Sequence, residues 1–381
     1  MDAEPLVSRM THPGRDGPRR RCLLLTGAGL GLQAALWPAA ARAAAALPGQ
    51  QAPAGLPGPL NQPASMTTRA ARGLLTRVVR AGDRLVALGE RGLVVLSDDG
   101  GRQWRQARVP VSVTLTSASF ADARQGWIAG HSGVVLHTTD GGENWTVQTD
   151  GVALAHAALA QAKVLPDTAA GRERSIQQAQ RLVDEGADKP LLSICFIDAQ
   201  RGMAVGAFGL AATTDDGGKI WAPCLDRLPN PQGMHLYVAA HDGKTWVVGG
   251  EQGVLMRSHD DRASFAPLTA PSRRSLFTAT AMRQGGFVLA GLLGSACRVA
   301  PDGAAVASVT LPAPFTILSC TELRDGRVML LAQGGRLLVS SDGGANFTEQ
   351  QPPRRQQLTS LAEASDGGLV ATSLGGVARL G

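Results

Sequence analysis

Aromatic rings are scarce in this chain. Across 381 residues there are one tyrosine, six tryptophans and eight phenylalanines, too little ring surface to stack a run of bases. The formal net charge is +6, and residues 1–43 hold six arginines against three acids, which leaves about +3 for the remainder. A strongly basic nucleic-acid binder is thereby excluded. The five cysteines form no C-x-x-C and no Cys/His ligand pattern, which removes a structural zinc site. There is no G-x-S-x-G elbow, and His131 and His137 stand without the partners of a triad or metal site. No metal, cofactor or nucleic acid is expected.

Glycine, by contrast, is abundant and regularly placed. Gly89-x-x-Gly92 is echoed by Gly130-x-x-Gly133, Gly206-x-x-Gly209, Gly250-x-x-Gly253 and Gly291-x-x-Gly294, then by Ala332-x-x-Gly335 and Ser373-x-x-Gly376. The second glycines step by 41, 76, 44, 41, 41 and 41 residues. A period near 40 built of short Val-, Ile- and Thr-rich runs cut by Gly and Asp reads as four strands per unit. The expectation is all-β: a seven-bladed β-propeller with four-stranded blades. The first glycine of each motif is expected at φ > 0 in the turn between strands two and three.

A second motif follows one strand later. Ser97-x-Asp99-x-Gly101-x-x-Trp104 recurs at Asp140–Trp145, Asp216–Trp221 and Asp342–Phe347, with a worn copy at Asp260–Phe265 that has Arg262 in the glycine position. The Asp carboxylate and the Ser/Thr hydroxyl suit backbone N–H groups of their own turn. The aromatic is expected to pack between blades. One regularly placed carboxylate per turn is too few for calcium, which takes six to eight oxygens.

The seventh unit, Leu358 to Gly381, stops after its third strand, so residues near 65–72 are expected to supply the missing strand and close the ring. Ahead of it, Arg20-Arg21-Cys22-Leu23-Leu24 opens an apolar run ending near Ala40, and Ala41-Arg42-Ala43 offers a small-x-small cleavage site. Residues 1–43 read as an export signal of twin-arginine type cleaved near Ala43, with a general secretory signal as the alternative. Cys22 precedes the apolar run and is misplaced for a lipoprotein cysteine. Residues 44–64 read as a flexible linker, and 65–381 as the propeller. The expected location is periplasmic. Cys195, Cys224, Cys297 and Cys320 would then remain, as buried thiols or with one or two bridges that sequence cannot assign.

The one long interval inserts 35 extra residues. Ala153–Lys163 is helix-prone, and Ser175–Glu185 shows an apolar stripe at Ile176, Ala179, Leu182 and Val183. A helical hairpin over 149–190 is expected between blades two and three, either as a surface decoration or as a partner-binding cap. In a propeller the turn between strands two and three shares a face with the blade-to-blade link. That face is expected to gather Glu90, Arg91, His131, Phe208, Glu251, Leu292 and Leu293 from the turns. The links would add Arg105, Arg108, Arg227, Arg273, Arg274, Arg354 and Arg355. Basic links beside Phe208 and a leucine pair suit an acidic or amphipathic polypeptide, with a solvated rim as the plain alternative.

The Asp turns resemble the Asp-box (BNR) repeats of sialidases. That chemistry needs an activated tyrosine and an arginine cluster, and the chain has only Tyr237, with no nearby Glu in sequence. The whole array, repeated G-x-x-G followed by T-x-D-x-G-x-x-W as in Gly130 to Trp145, looks like the photosystem II stability/assembly factor family. The resemblance covers roughly residues 66–381. It implies a seven-bladed propeller of lumenal or periplasmic location, acting as an assembly chaperone for a membrane-protein subunit, without catalysis. The helical insertion with Asp188-Lys189-Pro190 looks like a bacterial subgroup. The reading is a non-catalytic monomer that binds a protein segment of a cell-envelope membrane complex. The alternative is an exported glycosidase or carbohydrate-binding Asp-box propeller.

Overall fold

The computed structural model of the protein describes residues 58–168, 171–186, 188–350 and 357–380. The export signal, most of the linker, Arg354 and Arg355 lie outside the described residues. Among the described residues the strands of each blade pair antiparallel in chain order, which yields seven separate sheets. Blade one runs Leu75–Ala81, Arg84–Gly89, Val94–Ser97 and Arg105–Gln106 from the axis outward. The innermost strands of the other blades are Leu115–Phe120, Leu191–Phe196, Leu236–His241, Leu276–Ala281, Ile317–Glu322 and Leu358–Glu363. Each lies beside the next, and the last beside the first, so the ring closes. In blades two to six the second strand is buried at every residue. Covered on both faces by neighbouring blades, those strands read as unbroken apolar runs without alternation, such as Gly-Met-Ala-Val-Gly and Phe-Val-Leu-Ala-Gly.

The Asp turns brace the rim as expected. In blade two, Thr138 Oγ1 donates to Asp140 Oδ1 at 2.8 Å, while Gly142 N donates to Thr138 Oγ1 at 3.0 Å and Asn144 N to Asp140 Oδ1 at 3.1 Å. Asp99, Asp216, Asp260 and Asp342 repeat the arrangement. Trp145, Trp221, Phe265 and Phe347 are buried against the preceding blade and Trp104 half-buried, each removing roughly 150–250 Å² from water. Arg262, in the worn copy, has φ +72° and is 2% exposed. Its guanidinium donates to Gly202 O at 2.9 Å and Thr214 O at 3.0 Å, and lies 5.4 Å from the Trp246 ring.

The strand expected to complete the last blade is not formed. Among the described residues six sheets have four strands, and the seventh has three, ending with Gly376–Arg379. Residues 65–72 are irregular and finish in a 3-10 turn, Ala70–Arg72, beside that third strand. Their polar groups are committed elsewhere. Thr67 N donates to Gln106 Oε1 at 2.8 Å, Gln106 Nε2 donates to Ser65 O at 2.9 Å, and Ala70 N and Arg72 N close local turns. Side chains fasten the seam instead: Thr359 Oγ1 donates to Leu75 O at 2.7 Å, Arg102 pairs with Asp366 at 2.8 Å, and Arg379 meets Gly100 O. The end of the expected linker is also packed: Pro59–Asn61 is a 3-10 turn, and buried Ala64 donates its N–H to Val109 O at 3.0 Å.

The insertion is a helical hairpin, α1 (Gly151–Val164) and α2 (Arg172–Glu185). Asp150 caps α1 by accepting Ala153 N at 2.9 Å, and Gly186 at φ +75° ends α2. Leu154 and Ala155 enter the core of blades two and three, while Ala158, Leu159 and Ala162 pack on Ala179. The four described cysteines are free. Burial pushes the Cys195, Cys224 and Cys297 thiols up to about 12, which leaves them unreactive.

Candidate protein-binding face

The G-x-x-G turns are fixed to the links of their own face. His131 N donates to Thr114 O at 2.8 Å, Ala207 N to Pro190 O at 3.0 Å, Glu251 N to His235 O at 2.8 Å and Leu292 N to Ser275 O at 2.9 Å. The first glycine does not take φ > 0, contrary to expectation; Gly89, for instance, is extended at φ −169°. It is glycine because the link passes too close: a Cβ on Gly89 would lie 2.0 Å from Leu74 O. The left-handed residues come next, at Arg91, Ser132, Phe208, Gln252 and Leu293, with φ from 48° to 58°. A non-glycine residue there carries a modest strain, and its side chain stands at the tip of the turn.

At the centre of this face the seven innermost strands share a feature that no motif announces. Each has a bulge at its second residue: Thr76, Thr116, Leu192, Tyr237, Phe277, Leu318 and Thr359. The three threonines stitch blades seven, one, two and three together, through Thr359 to Leu75 O at 2.7 Å, Thr76 to Leu115 O at 2.8 Å and Thr116 to Leu191 O at 2.6 Å. Blades three to six present Leu192, Tyr237, Phe277 and Leu318 instead, all half-buried. Tyr237 meets Phe277 edge to face at 5.1 Å, and His235 bridges outward to Phe208 at 4.7 Å. One half of the centre is thus hydroxyl-lined and satisfied within the protein, and the other half is apolar.

The predicted residues divide accordingly. Phe208, 54% exposed, stands at the edge of the apolar half, and Lys189 lies 5.2 Å from its ring centroid. Lys189 pairs with Glu185 at 2.7 Å and with Asp188; burial opposes its charge, but those two partners outweigh it and raise the pKa. Glu251 Oε2 accepts His235 N at 3.1 Å. Arg274 Nη1 donates to Leu293 O at 3.2 Å, with exposed Arg273 and half-buried Leu292 alongside. Glu90, Arg91 and His131 are exposed on blades one and two, next to the threonine half.

Three arginines sit toward the opposite face. Arg227 Nη1 reaches Arg262 O at 3.5 Å in the next blade's Asp turn, Arg108 N donates to Glu143 O at 2.9 Å, and Arg105 pairs with Asp98 and Glu143. The outer strand begins at the Asp-turn end, so link residues close to it stay near the opposite face. His235, Tyr237, Phe277 and Lys189 were not singled out for this face from sequence. Tyr237 and Phe277 keep the blade period, but the residue type at that position changes from blade to blade, and His235 and Lys189 lie on the links just ahead of their innermost strands. Tyr237 does not resemble an activated nucleophile, because burial and then the nearby Glu251 charge push its hydroxyl up. Among the described residues no three or more His, Cys, Asp or Glu are grouped to hold a metal.

Comparison with known proteins agrees with this architecture. Residues 80–154 match the family described as photosynthesis system II assembly factor YCF48. A 63-residue stretch is 36% identical to the photosystem II assembly lipoprotein Ycf48 of Synechococcus sp. (strain CC9902), covering 16% of this chain and 19% of that relative. Among solved structures, YCF48 bound to D1 peptide superposes with a TM-score of 0.58 at 15% identity, over 85% of this chain and 98% of that one. YCF48 from Cyanidioschyzon merolae gives 0.55 at 16% identity, over 83% and 96%. The WD40 propeller of Doa1 gives 0.55 at 11% identity, over 84% and 95%, so the likeness in shape speaks for the fold alone. Over residues 80–154 the chain is similar in sequence to the photosystem II assembly factor family, and around the ring it shares the propeller fold.

Proposed function

We propose that this protein is an exported, non-catalytic propeller that binds a protein segment of a membrane complex and assists its assembly or stability. The observation that carries the reading is the apolar half-ring of Leu192, Tyr237, Phe277 and Leu318 with exposed Phe208 beside it. Clustered aromatic and aliphatic side chains rimmed by charge are the composition of a protein-binding hot spot. Arg273 and Arg274 at its border favour a segment with acidic residues next to its apolar ones. The structure of YCF48 with a D1 peptide supports a polypeptide ligand for this type of ring.

A carbohydrate-active propeller needs two carboxylates converging on the substrate. Among the described residues, Glu251 is the one carboxylate whose charge acts on Tyr237. A photo-crosslinking residue placed at Phe277 should capture a membrane-protein subunit. The same probe at Ile220, 69% exposed in an Asp turn on the opposite face, should not. Arg273→Glu with Arg274→Glu should weaken capture by about tenfold or more, the effect of about 1.4 kcal/mol. Equal capture from both faces, or capture indifferent to the charge reversal, would refute the assignment. Periplasmic location and cleavage after Ala43 belong to the same proposal, and N-terminal sequencing of the protein recovered from the cell envelope tests them.

A further inference from the structure

At the Asp-turn end of the ring, adjacent blades are clasped by side-chain N–H groups. Arg379 meets Gly100 O, Arg84 Nη1 donates to Gly141 O at 3.0 Å, Trp127 Nε1 to Gly217 O at 3.1 Å and Arg257 Nη1 to Asp302 O at 2.9 Å. Arg298 holds in blade five the place that Arg257 holds in blade four, the third residue of the third strand. Its clasp is missing. A Cβ built on Gly343, in the turn of blade six, would stand 3.7 Å from Arg298 Nη2. Among the described residues the Arg298 side chain makes no hydrogen bond and no ion pair, and its Nε, like that of Arg257, is shut off from solvent without a partner.

Where the clasp is absent a crevice of about 700 Å³ opens between blades five and six, lined among others by Met282, Arg298, Glu322, Arg327 and Asp342. Its acids are engaged. Glu322 Oε2 accepts Arg283 N at 3.0 Å, Asp325 Oδ2 accepts Arg327 Nε at 2.7 Å, and Asp342 holds its own turn through Ser340, Asn346 and Ala345. The Arg298 charge is the one left uncompensated. A guanidinium presents a planar fork of donors that matches a carboxylate or phosphate. Arg298 is half-buried with its Nε already shut off from water, so an anion that reaches its fork gains charge-assisted bonds that nothing within the described residues supplies.

We infer that this crevice binds a compact oxyanion, a carboxylate or a phosphate, through Arg298. It lies on the face opposite the protein-binding centre and is independent of that reading. Calorimetric titration of the full chain with inorganic phosphate, and separately with succinate, tells the two classes apart: saturable binding of either supports the site and names its class. Arg298→Gln should then weaken binding at least tenfold, while the unliganded variant melts at the same temperature as the parent, because no bond within the protein is lost. Arg298→Lys should keep part of the affinity. Three results would overturn the inference: neither anion binds, Arg298→Gln binds as well as the parent, or unliganded Arg298→Gln melts lower, which would mark Arg298 as a structural clasp.

Discussion

Arg262 replaces a glycine and is buried where the other Asp turns have no side chain, so its removal has a size that can be worked out. Arg262→Ala strips charged donors from the carbonyls of Gly202 and Thr214, both closed in between blades three and four. An unmade buried bond costs about 1–3 kcal/mol. Asp215, 75% exposed, rehydrates when its partner leaves and contributes little. Loss of the stack on Trp246 adds to the cost, and release of a desolvated guanidinium subtracts from it. The sum is about 3 kcal/mol of lost stability, led by the two carbonyls. Arg262→Gly should be milder by about 1 kcal/mol, because a left-handed backbone penalises any Cβ. Arg262→Lys should fall between the parent and Ala, since a point charge lacks the fork that spans both carbonyls. Urea unfolding followed by circular dichroism and tryptophan fluorescence measures all three. An Ala variant within about 0.5 kcal/mol of the parent, the range of an inert surface change, would refute the clasp; equal losses for Gly and Ala would refute the role given to φ.

Two further outcomes follow from the turns. Gly89→Ala should cost about 3 kcal/mol, the upper range for forced overpacking, because its Cβ meets a backbone oxygen at 2.0 Å. Gly130→Ala, with 2.7 Å to Thr114 O, should cost about 1 kcal/mol, and equal midpoints in urea would contradict the close-approach argument. The Asp-turn carboxyls sit below their ordinary range in the folded state, Asp342 through the Asn346 N–H and then the Ser340 hydroxyl, and Asp366 is drawn down to about 2 by Arg379. Groups depressed on folding stabilise above the unfolded carboxylate value of about 3.9 and lose that contribution as pH falls through the folded one. Urea midpoints should therefore hold steady down to about pH 5 and decline below it. Asp342→Asn should flatten the decline, and an unchanged acid limb in that variant would count against the turns as its source.

The ring was legible in the sequence because its cause is periodic. Each blade must hide a second strand between two neighbours and brace its rim with an Asp turn, and both demands leave a mark every 41 residues over much of the chain. The helical hairpin was legible for the complementary reason: it breaks the interval and carries its own stripe at Ile176, Ala179 and Leu182. The closure was misjudged because a fourth strand missing from the seventh unit says nothing of Gln106, which holds the backbone of Ser65 and Thr67. The motif glycine was assigned the wrong duty because a turn and a close approach leave the same letter in the chain. The apolar centre stayed hidden because its members share a place in the repeat but not a residue type, so no motif marks them. Arg227 and Arg105 show the remaining gap, since a link residue belongs to whichever end of the blade its side chain can reach.

A sevenfold wheel has a difficulty that ordinary domains escape: a guest meeting seven like sectors could settle in as many orientations. Three threonines spend their hydroxyls on the neighbouring backbone and leave nothing to grip, while the remaining four sectors offer hydrocarbon. Rotational equivalence is broken at the hub, and the helices raised beside the third sector break it again at the rim. A visiting chain would therefore find a single alignment on a scaffold whose own repeats could not have supplied one.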